Sequence, residues 1–375
     1  MNVAQPKSWV ASLFAILLLV SVGRSQSEVQ QTAHAAAPQS NVSLLTTLPE
    51  ADTIIYLSPQ KILTEAAPKM MAADDLLKLR ADFADIKKNV GIDPSTVDSL
   101  VLAVRFHKPS GDLSFVAPDV LSVVSGDFSA EALVTLAGSL LKENSRTEQY
   151  NAKTITIVKI DALEEEARDN PMLRSFAELG VVALNGNTFA IGTVNYLKAA
   201  IDAAAGNGRI NPATVNSVLR NPNALVSAAG SPLSAFAKSF GLLGTETTPR
   251  ESRCDSHFGD FYAAITIDAT NVNFRGAMNA DNPDTAKIIN GMISGVVQPL
   301  IGALPEEAAR TVLQAIRMQA RESEVVWEAD VPHQTVAAFI QEQMKSKEEP
   351  AVKATPAPAK PKTAPKRRVR RKTAK

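Results

Sequence analysis

Apolar positions along this chain come in three patterns, and each predicts a different kind of element. The first is unbroken: Trp9–Val22, WVASLFAILLLVSV, follows a short polar stretch whose only charged side chain is Lys7. Fourteen residues are short of the roughly twenty that a helix needs to cross ~30 Å of hydrocarbon. The run followed by small and polar residues therefore predicts a secretory signal peptide, or else an uncleaved N-terminal anchor. The second is a short β-branched or apolar run, alternating cleanly with period two at Thr154–Ile160, and it predicts strands there and at Thr53–Leu57, Ser99–Phe106, Val120–Ser125, Phe261–Asp268, Val272–Ala280 and Glu324–Val331. Val181–Leu184 and Thr188–Gly192 flank Asn185-Gly186-Asn187, whose tolerance of positive φ predicts a tight hairpin. The third repeats every three or four residues. It predicts helices from Ser58-Pro59, over Asp74–Asn89 (Leu76, Leu77, Leu79, Phe83, Ile86), and over Ala130–Asn144 and Tyr196–Ala205. Further helices are expected over Leu233–Phe240, from Asn282 to about Leu300, over Pro305–Arg321 and over Thr335–Met344.

These elements predict an α+β fold of antiparallel sheets built from hairpin-then-helix units, with the helices packed on one face. Two crossings, SGDFSAEAL and IGTVNYLKA, share the order apolar strand, Gly, polar residue, helix, which is a weak internal repeat. The expected divisions are a signal or anchor at 1–25, a linker at 26–43 and a first α+β domain at 44–240. A loop at 241–257, a second α+β part at 258–344 and a disordered Lys/Pro/Ala-rich basic tail at 345–375 complete the chain.

Charge changes this picture more than composition does. The 39 basic and 39 acidic residues cancel, but not locally. From Lys353 onward there are ten Lys or Arg and no Asp or Glu, which leaves 29 basic against 39 acidic residues before it. An acidic body thus carries a basic tail. Lys366–Lys372, KRRVRRK, places six positive charges within seven residues. With Lys360 and Lys362 upstream, the residues Lys366, Arg367, Arg368, Arg370, Arg371 and Lys372 form the candidate polyanion-binding site. For an exported chain the matching partners are an anionic cell-wall polymer, a glycolipid or a membrane surface. Nucleic acid is the partner if the chain stays inside, without sequence reading, since the tail has no aromatic for base stacking. The alternative is a solubilising tail that folds back on its own acidic body.

Candidate chemistry is sparse. The single cysteine, Cys254, excludes an internal disulfide, so the fold rests on its core. Cys254, Asp255, His257 and Asp260 form the one cluster resembling a nucleophile or metal site, in a Ser- and Arg-rich stretch without an orienting group. Zinc-site spacings, a phosphate-cradling GxxxxGK[ST] loop and a GxSxG elbow are absent. The carboxylate pairs Asp74-Asp75 and Glu164-Glu165-Glu166 read as solvated charge. No catalytic residue and no cofactor is assigned. Ile288–Leu300 and Ala308–Met318 could line an apolar groove, although core packing explains the same residues.

The opening LPEADTIIYLSPQKILTEAAPKM and the later GIDPSTVDSLVLAV resemble a group of uncharacterised exported bacterial proteins with a leucine-proline, acidic, strand, helix block and a Gly-Ile-Asp-Pro step into a strand. That resemblance implies an envelope protein and brings no catalytic residues. The expectation is an exported, non-enzymatic protein of the periplasm or cell envelope. An enzyme of unrecognised type, or a nucleic-acid-associated protein, are the alternatives.

Overall fold

The computed structural model describes residues 44–91, 93–107, 118–140, 144–160, 176–231, 258–303 and 307–348. Its strands are β1 (Thr53–Leu57), β2 (Val97–Arg105), β3 (Asp119–Gly126), β4 (Ser145–Tyr150), β5 (Lys153–Lys159) and β6 (Glu178–Asn185). They continue as β7 (Thr188–Gly192), β8 (Val226–Gly230), β9 (Phe258–Ile267), β10 (Asn271–Ala280), β11 (Arg317–Arg321) and β12 (Glu324–Pro332). The helices are α1 (Pro59–Lys61), α2 (Ala67–Met70), α3 (Ala73–Val90), α4 (Ala130–Leu140), α5 (Val194–Ala204) and α6 (Pro212–Val218). After these come α7 (Pro283–Ala303), α8 (Glu307–Gln314) and α9 (His333–Glu348).

All twelve strands join one antiparallel sheet in the order β11-β12-β10-β9-β8-β1-β2-β3-β7-β6-β5-β4. Many neighbours are hairpins; β3 beside β7 and, farthest apart in the chain, β1 beside β8 are long-range joins, the latter pairing Thr53 with Gly230 and Leu57 with Val226. β8 then pairs with β9 over Val226–Ile265 to Gly230–Phe261, so the strands on either side of the expected loop at 241–257 are neighbours in one sheet. Residues 232–257, including the helix expected at Leu233–Phe240, lie outside the described residues.

Helices cover both faces, which corrects the expectation of one helical face. Val123 and Val124, Val181 and Val182, and Phe189 and Ala190 are successive residues buried on opposite sides. Strands apolar on both sides must be covered twice. On the front, α5 and α6 bring Tyr196, Leu197, Ile201, Val215 and Val218 onto Ile54, Tyr56, Val101, Leu121, Val123 and Ile157. On the back, α4 packs Ala130 and Val134 on Val124, Val181 and Phe189. The register carries that back face across the sheet as one apolar row: Phe189, Val124, Leu100, Leu57, Val226, Ile265, Phe274 and Ala329. At its far end α7 seats Ala286 and Ile289 on Val325 and Trp327. This core contact is where the expected groove-lining helix lies.

Local differences from the sequence reading have local causes. Ser58 opens the first helical stretch, but its side chain makes no cap bond; its N–H instead donates to Leu225 at 2.9 Å, tying the turn to the neighbouring segment. The stretch widens to a π-helical turn over Ile62–Ala66 before α2. Helix α3 ends as expected at Gly91, whose φ of 79° lets its N–H reach the Lys87 carbonyl. The helix expected over Pro305–Arg321 stops at Gln314. The chain turns back because Arg317–Arg321 pairs with Glu324–Glu328 around Glu322, which takes φ of 50°. Helix α9 continues to Glu348, so it takes in the first residues of the expected tail.

The Asn185–Asn187 hairpin forms, though not by positive φ. The Asn185 side chain accepts from Asn187 N at 3.0 Å and holds the turn. The left-handed two-residue turn lies between β4 and β5, where Asn151 and Ala152 have φ of 44° and 60°. Asn tolerates that region, whereas alanine is strained there by about 1–2 kcal/mol. Ala152→Gly is therefore expected to raise stability by about 0.5–1 kcal/mol, after glycine's larger entropy loss is subtracted, as read from thermal unfolding.

Candidate functional site

Two charged residues end apolar strands side by side. Arg105 is the last residue of β2 and Asp119 the first of β3, and the register pairs them on the front face. Both point the same way as Val101, Ala103, Leu121 and Val123, towards the start of α5. Thr193, the residue before that helix, anchors the strand end through its N–H to the Val120 carbonyl at 3.0 Å. Gly192 makes this approach possible, because a Cβ there would collide with the Val120 carbonyl oxygen.

Asp119 is 8% exposed and is met by three side chains. Its Oδ2 accepts from Arg105 Nη2 at 2.6 Å and Nε at 3.2 Å, and His107 Nε2 lies 3.1 Å away. Its Oδ1 accepts from the Thr193 hydroxyl at 2.9 Å. The Arg105 guanidinium also lies over the Tyr196 ring, 4.6 Å from its centroid. Tyr196 is fully buried, and its hydroxyl donates to the Glu50 carbonyl at 2.9 Å. Burial pushes the phenol far above its ordinary range, against the opposing pull of Arg105. Beside it, Asp52 accepts from Phe106 N at 2.7 Å.

This constellation ties three elements together. Chemically it is saturated: both Asp119 oxygens are occupied, and Thr193 spends its hydroxyl proton on that same carboxylate. His107, whose side chain is 42% exposed, lies against the carboxylate, and among the described residues it meets no nucleophile. A carboxylate elsewhere in the sheet is perturbed for a structural reason. Asp268 is held down to about 2, first by the Thr270 N–H, then by the Asn273 amide, the Asn271 N–H and the Thr270 hydroxyl. These bonds close the β9–β10 turn. On the front of β10–β12, Arg275 and Arg317 share Asp330, and Arg317 also approaches Glu328 at 3.7 Å.

The residues singled out from sequence fall as follows. The tail residues Lys360, Lys362, Lys366, Arg367, Arg368, Arg370, Arg371 and Lys372 lie outside the described residues, as do Cys254, Asp255, His257 and Glu164–Glu166. Asp260 is exposed on β9, and Asp74 is exposed on α3. Among the described residues, no group of three or more His, Cys, Asp or Glu is arranged to hold a metal ion. The sequence reading missed Arg105 and Asp119. The available signal was a charge at the end of each of two adjacent apolar strands.

No protein-family model matches this chain, and no curated protein sequence does either. Among solved structures, it is similar to crystal form III of TP0453 with a TM-score of 0.44 and 10% identity, covering 83% of this chain and 100% of that one. Crystal form I of TP0453 gives 0.39 and 11%, over 82% of this chain and 98% of that one. Crystal form IV gives 0.40 and 10%, over 79% and 95%. Likeness of this size assigns neither family nor function. Among the described residues, no helix is long and apolar enough to cross a membrane.

Proposed function

We propose that this is an exported, non-enzymatic protein of the cell envelope, whose acidic α+β body is held to an anionic polymer, glycolipid or membrane surface by its basic tail. The observation that carries this reading is charge segregation: ten basic and no acidic residues from Lys353 onward, against an excess of ten acids before it. Such a tail is drawn to any polyanion, and bound counterions are released as it binds. The tail follows α9, which packs on α8 and α2, so its root is fixed to the body. The run Trp9–Val22 supports export, and the LPEADTIIYL and GIDPSTVDSL stretches support kinship with exported envelope proteins. The same reading takes the recurring order of hairpin then helix, as in β2-β3-α4 and β6-β7-α5, as a repeated unit.

Cell fractionation with successive low-salt, high-salt and detergent washes tests this function. Release from the envelope by high salt is the expected result. Release by detergent alone transfers the attachment to Trp9–Val22, and recovery from the cytosol with nucleic acid overturns export.

A further inference from the structure

Helix α3 is long, yet none of its described side chains from Ala73 to Lys88 is buried. Four of its large apolar residues, Leu76, Leu79, Phe83 and Ile86, follow one another at intervals of three, four and three, which sets them on one stripe; Leu77, 61% exposed, lies beside it. Each is only half-buried, although a stripe of this kind normally completes its burial against another helix. The residues beside the stripe are not random. Arg80 and Lys87 run along one edge, and Asp75 and Asp82 along the other.

We infer that α3 is a self-recognition helix, through which two copies of this chain associate as a parallel pair. With Leu76 and Phe83 at the first seam position and Leu79 and Ile86 at the second, Asp75 and Asp82 occupy the flanking position before the seam. Arg80 and Lys87 occupy the one after it. In a parallel pair each flanking residue meets the residue five places later on the other helix. Asp75 of one copy then faces Arg80 of the other, and Asp82 faces Lys87, with both pairs repeated by symmetry. An antiparallel pair sets Arg80 and Lys87 of one copy against the same residues of the other, and the aspartates likewise, which is repulsive. The charges therefore specify both the partner, a second copy, and its direction. Within the chain, Asp75 lies 3.6 Å from Lys78 and Lys87 lies 3.0 Å from Asp93. Both are surface pairs with well-exposed lysines, which are weak and easily exchanged.

The test is a charge exchange on the full chain, followed by sedimentation velocity over a range of concentrations. Wild type is expected to dimerise. Asp75→Lys with Asp82→Lys, and separately Arg80→Glu with Lys87→Glu, should each weaken self-association roughly tenfold or more. Mixing the two variants should restore the dimer. These substitutions lie on a solvated helix surface, and circular dichroism checks that folding is retained. As a second measurement, Leu79→Cys in a Cys254→Ser background should form a disulfide-linked dimer on mild oxidation, because the parallel pair sets the two positions side by side. A wild-type chain that sediments as a monomer throughout overturns the inference. So does association that both charge variants leave unchanged.

Discussion

Exchanging the six basic residues of Lys366–Lys372 for glutamine should remove most of the salt-sensitive attachment, with at least a hundredfold loss of affinity for vesicles rich in anionic lipid. Each charge near an anionic surface contributes roughly 1 kcal/mol, so six set an upper limit of about 6 kcal/mol. Screening and the lost freedom of the tail lower that figure, and a hundredfold loss corresponds to only about 2.7 kcal/mol. Co-sedimentation with anionic and with neutral vesicles, repeated across salt concentrations, measures the effect. Wild type should bind the anionic vesicles with an affinity that falls steeply with salt, and the glutamine variant should lose most of that slope. A tail with the same composition in shuffled order should bind as wild type does, since a Pro- and Ala-rich stretch without aromatics has nothing but charge to offer. Equal binding by wild type and the glutamine variant would remove the tail from the attachment.

The largest effect inside the body is expected at Tyr196. Its side chain is 0% exposed, packs in the front core, donates to the Glu50 carbonyl at 2.9 Å and supports the Arg105 guanidinium from below. Tyr196→Ala removes an entire aromatic from between α5 and the sheet. By analogy with other buried aromatics it should cost about 3–5 kcal/mol. It also leaves the Glu50 carbonyl short of a donor. Tyr196→Phe keeps the ring and loses only the hydroxyl, so it should cost about 1–2 kcal/mol. Urea unfolding followed by circular dichroism gives both values from the shift in midpoint at constant slope. Near-equal costs for the two variants would mean that the hydrogen bond, and not packing, holds α5 in place.

How legible this fold was depends on whether a segment's own residues decide its state. TITIVKI becomes β5 as its β-branched residues predict, but Ile155, Thr156, Ile157 and Val158 are all buried, so its alternation does not mark a solvated face. VSAAG gave no such sign, having a single β-branched residue, yet it forms β8 in the middle of the sheet. Small residues suit a strand whose neighbours approach closely on both sides, and only the fold reveals those neighbours. SRTEQY forms β4, which among the described residues is an edge strand, and hydrophobic alternation is not required there. Residues 317–321, RMQAR, continue a helical spacing on paper, but pairing with β12 outweighs that propensity. The two-sided placement of helices was present in runs such as LSVVSG, which bury consecutive residues; the one-sided expectation rested instead on the order of hairpins feeding helices. Arg105 and Asp119 were hidden for a related reason. Each looks like an ordinary strand-end charge until β2 and β3 are set in register and the start of α5 is brought over them.

The position of β1 also governs the order in which this molecule can assemble. A ribosome delivers β1 through β7 first, and these strands can pair among themselves as β1-β2-β3-β7-β6-β5-β4. Until Val226–Gly230 emerges, β1 is a raw edge whose backbone donors and acceptors are unpaired beside the apolar side chains of Ile54, Ile55 and Leu57. The meander of β9, β10, β12 and β11 can form locally, but it reaches the rest of the sheet only through β8. A short, bland strand is thus the closing seam of the fold, and a chain interrupted ahead of it is left with an adhesive border.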